Sequence, residues 1–481
     1  MKTRYLALSL AAMATLGMLA GSPKRGVSEN QFSYLVQMRA LEPGVCWYYN
    51  WGNSGAVGSK GEIAAAENTM EFVPMCWGNY NADAIREYVK NHPETKYLLG
   101  FNEPNFKTQS NMTPAVAAER WPEVQALAKE LNLKLVAPAL NYSPDAPYTD
   151  PTRWMDEFVA LVGEDAFDYT AVHSYGGAEV MKELATKFHD RYGKDVWVTE
   201  FCFWPGEMGY VNPKAQISSM VDALEWLEQT PWIFRYAWFK AVGSSDSPTG
   251  PNYGLLKTMT SLESCELSEQ GKVYTYLPDF DTERYHAVGE TFPAVDYVAR
   301  QFAGVGAGSN PDCEVPIEIS EFVTGATLDY QFDVTESGDY YLALNVSGVG
   351  EPTRFDPTLA VYSVGADGEQ GECLMPAAKF TLSGSDTEYR QLLLPVTLQA
   401  GRQRLRLVDA NSYSPSGIRI SEIMLGSQVG VAEIGGSATA VVDVYSIDGL
   451  CVRRAADAMS PLEGLPAGLY IVNGKKILKS K

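Results

Sequence analysis

Histidine is scarce in this chain, with four among 481 residues, at positions 92, 173, 189 and 286. None stands in a His-Glu-x-x-His spacing, so a zinc hydrolase of that type has no ligand set here. The chain also lacks a Gly-x-Ser-x-Gly elbow and a Gly-x-x-x-x-Gly-Lys loop, which removes the usual serine-hydrolase and nucleotide-phosphate readings. Gly304, Gly306 and Gly308 form a glycine-rich patch without a strand-turn-helix context and read as a loop. Basic residues are outnumbered, 38 Lys and Arg against 59 Asp and Glu, for a formal net charge of −21. Such a chain repels phosphate backbones and anionic membrane surfaces, so nucleic acid is excluded as a partner while a neutral polymer is not.

Long apolar runs are missing after the N-terminus. The one that exists, residues 5–20, follows Lys2 and Arg4 and precedes Gly21-Ser22-Pro23-Lys24-Arg25. This is the layout of a secretory signal with cleavage near Ala20. At about 16 residues the run is short for a span of about 20, and no cysteine follows it for a lipid anchor. The expectation is export to the surface, periplasm or medium of a bacterium, with no stable membrane insertion after cleavage. Seven cysteines, an odd number, are scattered over the chain. That is unlike a small disulfide scaffold. Cys46, Cys76 and Cys202 read as small buried hydrophobes, and a bridge among Cys265, Cys313 and Cys373 stays open.

What the chain has is a rhythm. Short apolar runs at 44–49, 71–77, 97–101, 135–140, 169–175, 196–201, 234–240 and, weaker, 253–256 alternate with segments of helical period. Thr113-Pro114, a cap followed by proline at the first helical position, opens one of these. The expected fold class is α/β, a (β/α)8 TIM-type barrel over residues 30–282. Beyond it, Thr- and Val-rich alternating runs at 327–334, 339–346, 358–363, 392–398, 403–409 and 418–425 predict an antiparallel β-sandwich over 283–427. Residues 428–481 hold short strands and a basic tip.

Two glutamates follow apolar runs directly: Glu103, in Asn102-Glu103-Pro104-Asn105, and Glu200, in Thr199-Glu200-Phe201. Barrel active sites collect at the C-terminal strand ends, so both carboxylates are expected in one mouth. A retaining glycosidase needs such a pair, one carboxyl protonated for the leaving oxygen and the other ionised for attack. Each Glu alone is also compatible with capping a helix or pairing with a surface arginine. Trp47, Tyr49, Trp51, Trp77, Tyr175, Trp204 and Trp238 offer ring faces on which sugar C–H groups could stack, or could simply be packed. Asn102 is placed to hold a 2-hydroxyl, or to form a turn.

The runs Cys46-Trp47-Tyr48-Tyr49-Asn50-Trp51-Gly52, Phe72-Val73-Pro74-Met75-Cys76-Trp77-Gly78, Gly100-Phe101-Asn102-Glu103-Pro104-Asn105, Ala171-Val172-His173-Ser174-Tyr175 and Trp197-Val198-Thr199-Glu200-Phe201 together resemble glycoside hydrolase family 128, the endo-β-1,3-glucanases. The resemblance implies Glu103 as acid/base, Glu200 as nucleophile, retention of configuration, a β-glucan substrate, and neither metal nor cofactor. It further implies that His173 and Tyr175 line the reacting-sugar subsite, with Gln109, Trp77 and Trp238 as further contacts. In barrels of that clan the acid follows the fourth strand and the nucleophile the seventh, whereas the runs above place them after the third and sixth. One short strand, expected near 61–66, is therefore missing from the count and the last run is surplus. The 283–427 region resembles a family 6 carbohydrate-binding module, through Phe292-Pro293-Ala294-Val295-Asp296-Tyr297 and Gly338-Asp339-Tyr340-Tyr341-Leu342. The C-terminal segment resembles the sorting tail of the type IX secretion machinery. The alternatives are a glycosidase of the same clan on another β-linked polysaccharide, or a non-catalytic glycan-binding surface protein.

Overall fold

The computed structural model describes residues 21–55, 69–203, 213–243, 253–260, 263–348, 357–380, 388–411 and 417–427, and, further on, 441–446, 451–457, 462, 465–466, 468–472 and 475–479. The apolar run at 5–20, the strand expected near 61–66 and Trp204 lie outside the described residues.

Eight parallel strands make one sheet: β1 (Arg25–Ser28), β2 (Trp47–Tyr49), β3 (Glu71–Phe72), β4 (Tyr97–Leu99), β5 (Lys134–Leu140), β6 (Tyr169–Ser174), β7 (Val196–Phe201) and β8 (Ile233–Phe239). Their order is β3-β2-β1-β8-β7-β6-β5-β4. The two edges meet through a parallel bridge between Met75 and Leu99. There the Cys76 N–H donates to the Leu99 carbonyl at 2.8 Å and the Leu99 N–H to the Pro74 carbonyl at 2.9 Å. Helices α1 (Leu35–Leu41), α2 (Ala82–Asn91), α3 (Pro114–Glu130), α4 (Pro151–Val162), α5 (Ala178–Tyr192), α6 (Pro213–Gln229) and α7 (Glu269–Tyr276) alternate with the strands, giving a TIM-like architecture. Local chemistry starts them: Thr113 accepts from the Val116 N–H ahead of Pro114, and Asp150 accepts from the Thr152 N–H ahead of Pro151.

The strand missing from the sequence count is Arg25–Ser28, upstream of the expected start of the barrel at residue 30, and the run at 253–256 forms only an isolated bridge, Leu256 to Leu267. With β1 in place, Glu103 follows the fourth strand and Glu200 lies on the seventh. Arg-Gly-Val-Ser has one strongly apolar residue, so periodicity gives no signal; its partners are tertiary. A Cβ on Gly26 would stand 2.2 Å from the Trp47 ring, so the glycine leaves the room the indole fills. Arg25, buried, donates to Glu228 at 2.9 Å, to the Tyr236 hydroxyl at 3.0 Å and to the carbonyls of Tyr274, Leu277 and Pro278.

Inside the ring, Trp47, Tyr49, Val73, Met75, Leu99, Val136, Ala139, Ala171, Trp197 and Ala237 form one buried cluster. Tyr97, Tyr169, Trp197 and Phe234 pack edge to face, tilted or stacked at the opposite end from the two glutamates, closing the barrel below the mouth.

The rest of the described chain is antiparallel sheets. One holds Gly304–Ala307, Ile317–Phe322, Ile418–Ser427, Gly338–Gly348 and Arg390–Leu398 in that order, and a second holds Ala299–Gln301, Thr327–Val334, Gly401–Asp409, Thr358–Val364 and Gln370–Lys379. A short strand, Thr291–Pro293, also pairs with Ile418–Ser427, and from it Phe292 packs on Tyr330 and Phe332 of the second sheet. The glycine-rich patch, expected as a loop, contributes the strand Gly304–Ala307, because Gly306 lets Ser320 approach to within 2.9 Å of a would-be Cβ. Arg300 ties this region to α6 through Asp222 and Glu225 at 2.5 and 2.7 Å. A further four-stranded sheet spans Val441–Ser446, Cys451–Asp457, Gly468–Val472 and Lys475–Lys479. Cys265, Cys313 and Cys373 are free, so no bridge joins them.

Candidate active site

Three buried side chains converge at the C-terminal end of the ring. Glu103, His173 and Glu200 each present one ligating atom, and the three atoms lie within 4.8 Å of one another. His173 Nδ1 is 3.0 Å from Glu103 Oε1 and 3.4 Å from Glu200 Oε2, and its Nε2 is 2.9 Å from Thr199 Oγ1.

Backbone irregularities aim these groups. Glu103 has φ +39°, a left-handed conformation that a glutamate adopts only under constraint, and its N–H is held by the Ala139 carbonyl of β5 at 2.9 Å. On β7, counting alternately from inward-facing Trp197 would send residue 200 outward. Register shifts between Val172 and His173 in the β6–β7 pairing, and between Val198 and Phe201 in the β7–β8 pairing, turn Glu200 into the mouth instead.

The two carboxyls have different surroundings. Glu200 Oε1 accepts from the Trp51 indole N–H at 2.8 Å and from the Tyr49 hydroxyl at 3.1 Å, and Oε2 accepts from the Tyr175 hydroxyl. Burial pushes the Glu200 carboxyl up and neighbouring Glu103 adds to that, while His173, Tyr175 and Trp51 favour the anion; the balance lies above the ordinary value. Burial disfavours a charge on His173, but Glu200 and Glu103 outweigh it and raise the imidazole, so the ring carries a proton to a higher pH than a free histidine. Burial and the Glu200 charge hold both Tyr49 and Tyr175 well above the ordinary phenol, which keeps them as donors.

Of the residues singled out in the sequence, Trp51 and Tyr175 are half-buried beside Glu200, and His173 bridges the pair. Tyr49 is wholly buried and reaches Glu200 from beneath, so it holds that carboxyl and, contrary to expectation, offers no ring face to a sugar. Asn102 Nδ2 is 3.4 Å from Gln109 Oε1, while its own buried Oδ1 has no hydrogen-bond partner among the described residues, as expected of a group that a ligand completes. Half-buried Trp77 accepts from the Asn102 N–H through its carbonyl at 2.8 Å. Two further expectations are corrected. Trp47 is 0% exposed in the barrel interior with its indole N–H on the Lys24 carbonyl at 2.9 Å. Trp238, also 0% exposed, faces away from the lumen, packing on Phe201, Phe203 and Tyr274 with its N–H on the Tyr253 carbonyl. Neither is a sugar contact. The residue that sequence reasoning missed is Phe239, one position on from Trp238, whose ring packs edge-on against both Trp51 and Tyr175.

The glycosyl hydrolase catalytic core family matches residues 28–274, just over half of the chain. No curated protein matches it. Among solved structures, the chain is similar to a GH128 subgroup II endo-beta-1,3-glucanase from Pseudomonas viridiflava, with 32% identity, 54% of this chain and 99% of that chain covered, and a TM-score of 0.48. It is similar to a subgroup II endo-beta-1,3-glucanase from Sorangium cellulosum at 31% identity, with 53% and 98% covered and a TM-score of 0.46. A subgroup I endo-beta-1,3-glucanase from Amycolatopsis mediterranei, in complex with laminaritriose, shows 27% identity, 48% and 96% coverage and a TM-score of 0.38.

Proposed function

This chain belongs to the glycosyl hydrolase catalytic core family, and from that premise we propose that it is a retaining endo-β-1,3-glucanase acting on β-glucans. The observation that carries the mechanism is the carboxyl separation. One oxygen of Glu103 and one of Glu200 lie within 4.8 Å of each other, which suits the about 5–5.5 Å carboxyl spacing of retaining pairs better than the about 6.5–9.5 Å that gives inverting enzymes room for a water. The substrate reading rests on the five motifs that occur in order between residues 46 and 201.

Glu200 attacks the anomeric carbon as Glu103 gives its proton to the leaving oxygen. Water then enters, Glu103 takes a proton from it, and the oxygen displaces Glu200. Negative charge thus moves from Glu200, in the free enzyme, to Glu103, in the glycosyl-enzyme. His173 Nδ1 is within reach of both carboxyls and can favour the charge at either end of that transfer. Asn102 is placed to bind the 2-hydroxyl, with Gln109, Trp51, Trp77 and Tyr175 around the reacting sugar. The paired antiparallel sheets are read as a sandwich that supports or binds glucan, residues 5–20 as an export signal, and the C-terminal sheet as a sorting address.

Product analysis on β-1,3-, mixed-linkage and β-1,4-glucans tests the assignment. Oligosaccharides of several lengths from the β-1,3-glucan, absent with Glu200→Gln, are expected. Single glucose units alone would remove the endo mode, preference for another polymer would remove the substrate, and binding without products would remove the enzyme.

A further inference from the structure

Tyr142 differs from Trp51, Tyr175 and Phe239 in making no ring contact among the described residues. It lies two residues beyond the end of β5, at the active-site end of the ring, and is 40% exposed. Among the described residues its ring meets no other ring and its hydroxyl has no hydrogen-bond partner. A large amphipathic side chain left in water would ordinarily sit on a flexible loop that lets it fold down. This loop is pinned. Asn105 Nδ2 donates to the Asn141 carbonyl at 2.7 Å and to the Tyr148 carbonyl at 3.3 Å, and Ser143 Oγ donates to the Asn105 carbonyl at 3.1 Å. The Lys107 N–H donates to Asp145 Oδ2 at 2.8 Å, and the Ser143 N–H to the Thr149 carbonyl at 3.2 Å.

Apart from the Ser143–Thr149 bond within the loop, these contacts go to the segment that carries Glu103, whose own N–H is held by the Ala139 carbonyl of β5. The platform and the acid are therefore one hydrogen-bonded unit. On the reading above Glu103 delivers its proton to the oxygen shared with the departing sugar, and the bonding of the Tyr142 loop to the Glu103 segment points to that side of the cleft for the ring. A pre-positioned ring face binds pyranose C–H groups without an ordering cost at the moment of binding.

Resting on the glucanase reading above, we infer that Tyr142 is a stacking platform for the glucan on the leaving-group side of the scissile bond, and so a residue that selects for long chains. The test compares wild type, Tyr142→Ala and Tyr142→Phe on two substrates. Laminarihexaose occupies subsites on both sides of the cut, whereas β-laminaribiosyl fluoride has a leaving group with no ring to stack. Tyr142→Ala should lose about 5- to 10-fold in kcat/KM on the hexaose, within the range for an aromatic contact, and keep the fluoride rate. Tyr142→Phe should keep both, since the ring and not the hydroxyl is the contact, and thermal unfolding should be the same for all three. Equal losses on both substrates, or no loss on either, would overturn the inference while leaving the glucanase assignment intact. A wild type that cleaves neither substrate would overturn the assignment itself, and the inference with it.

Discussion

The indole N–H of Trp51 donates to Oε1 of Glu200 at 2.8 Å, and Trp51 reaches it with φ at +58°. A backbone held in the left-handed region at a bulky residue is tolerated where the side chain has a fixed task, and here the task is to stabilise the carboxylate. Trp51→Phe keeps the ring and removes the donor. The expected loss in kcat/KM is roughly 10- to 100-fold, the worth of one hydrogen bond to a charged group. Removing a donor to the anion raises the Glu200 carboxyl further, so the acid limb of the pH–rate profile should move to higher pH. An unchanged limb would deny Trp51 this role.

His173→Gln removes the only cation in contact with the two carboxyls among the described side chains. Because His173 holds its proton by virtue of Glu200 and Glu103, its loss should shift the same acid limb upward and lower kcat more than KM. A variant with raised KM and unaltered kcat would make His173 a binding residue only.

The column Trp47, Tyr49, Trp51 shows what a sequence can and cannot convey. Their alternate spacing in the sequence offers all three as ring faces for sugar, although only Trp47 and Tyr49 lie on β2 and Trp51 stands two residues beyond it at φ +58°. Height in the barrel separates them: Trp47 fills the interior under Gly26, Tyr49 holds the Glu200 carboxyl from below, and only Trp51 reaches the mouth. Height is a property of the closed ring and leaves no trace in local pattern. The same holds for β8, where Trp238 turns outward and Phe239 faces the site. Glu103 and Glu200 were legible because each ends an apolar run, although alternation alone would have pointed Glu200 outward. β1 was not legible, since Arg25 and Gly26 become strand residues only through Glu228, Tyr236 and Trp47.

Gly26→Ala tests that packing. The added methyl would meet Trp47, which cannot retreat because Trp197 lies at 5.1 Å between ring centroids and the Arg235 guanidinium covers its face. A loss of roughly 1–3 kcal/mol in unfolding free energy by urea denaturation is expected for such overpacking. Full stability would mean that the indole is not fixed.

His286, in the region after the barrel, is buried with Nε2 3.3 Å from Asp296 and Nδ1 3.1 Å from Glu290; Arg284 shares Asp296. Burial opposes its charge, but Asp296 and then Glu290 prevail and raise it. A raised histidine contributes stability fully below its unfolded value of about 6.5 and loses it as pH rises through the higher folded value. Wild type should therefore exceed His286→Gln in Tm at pH 6 by more than at pH 9. A constant difference would remove the linkage.

Covalent trapping addresses the central claim most directly. A 2-deoxy-2-fluoro-β-laminaribiosyl fluoride slows departure of the glycosyl group from a retaining enzyme, so the inactivated protein should gain the mass of one fluorinated laminaribiosyl unit, and peptide mapping should place it on Glu200. No adduct despite turnover of laminarin, or an adduct on another residue, would contradict the assignment of Glu200 as the nucleophile of a double displacement.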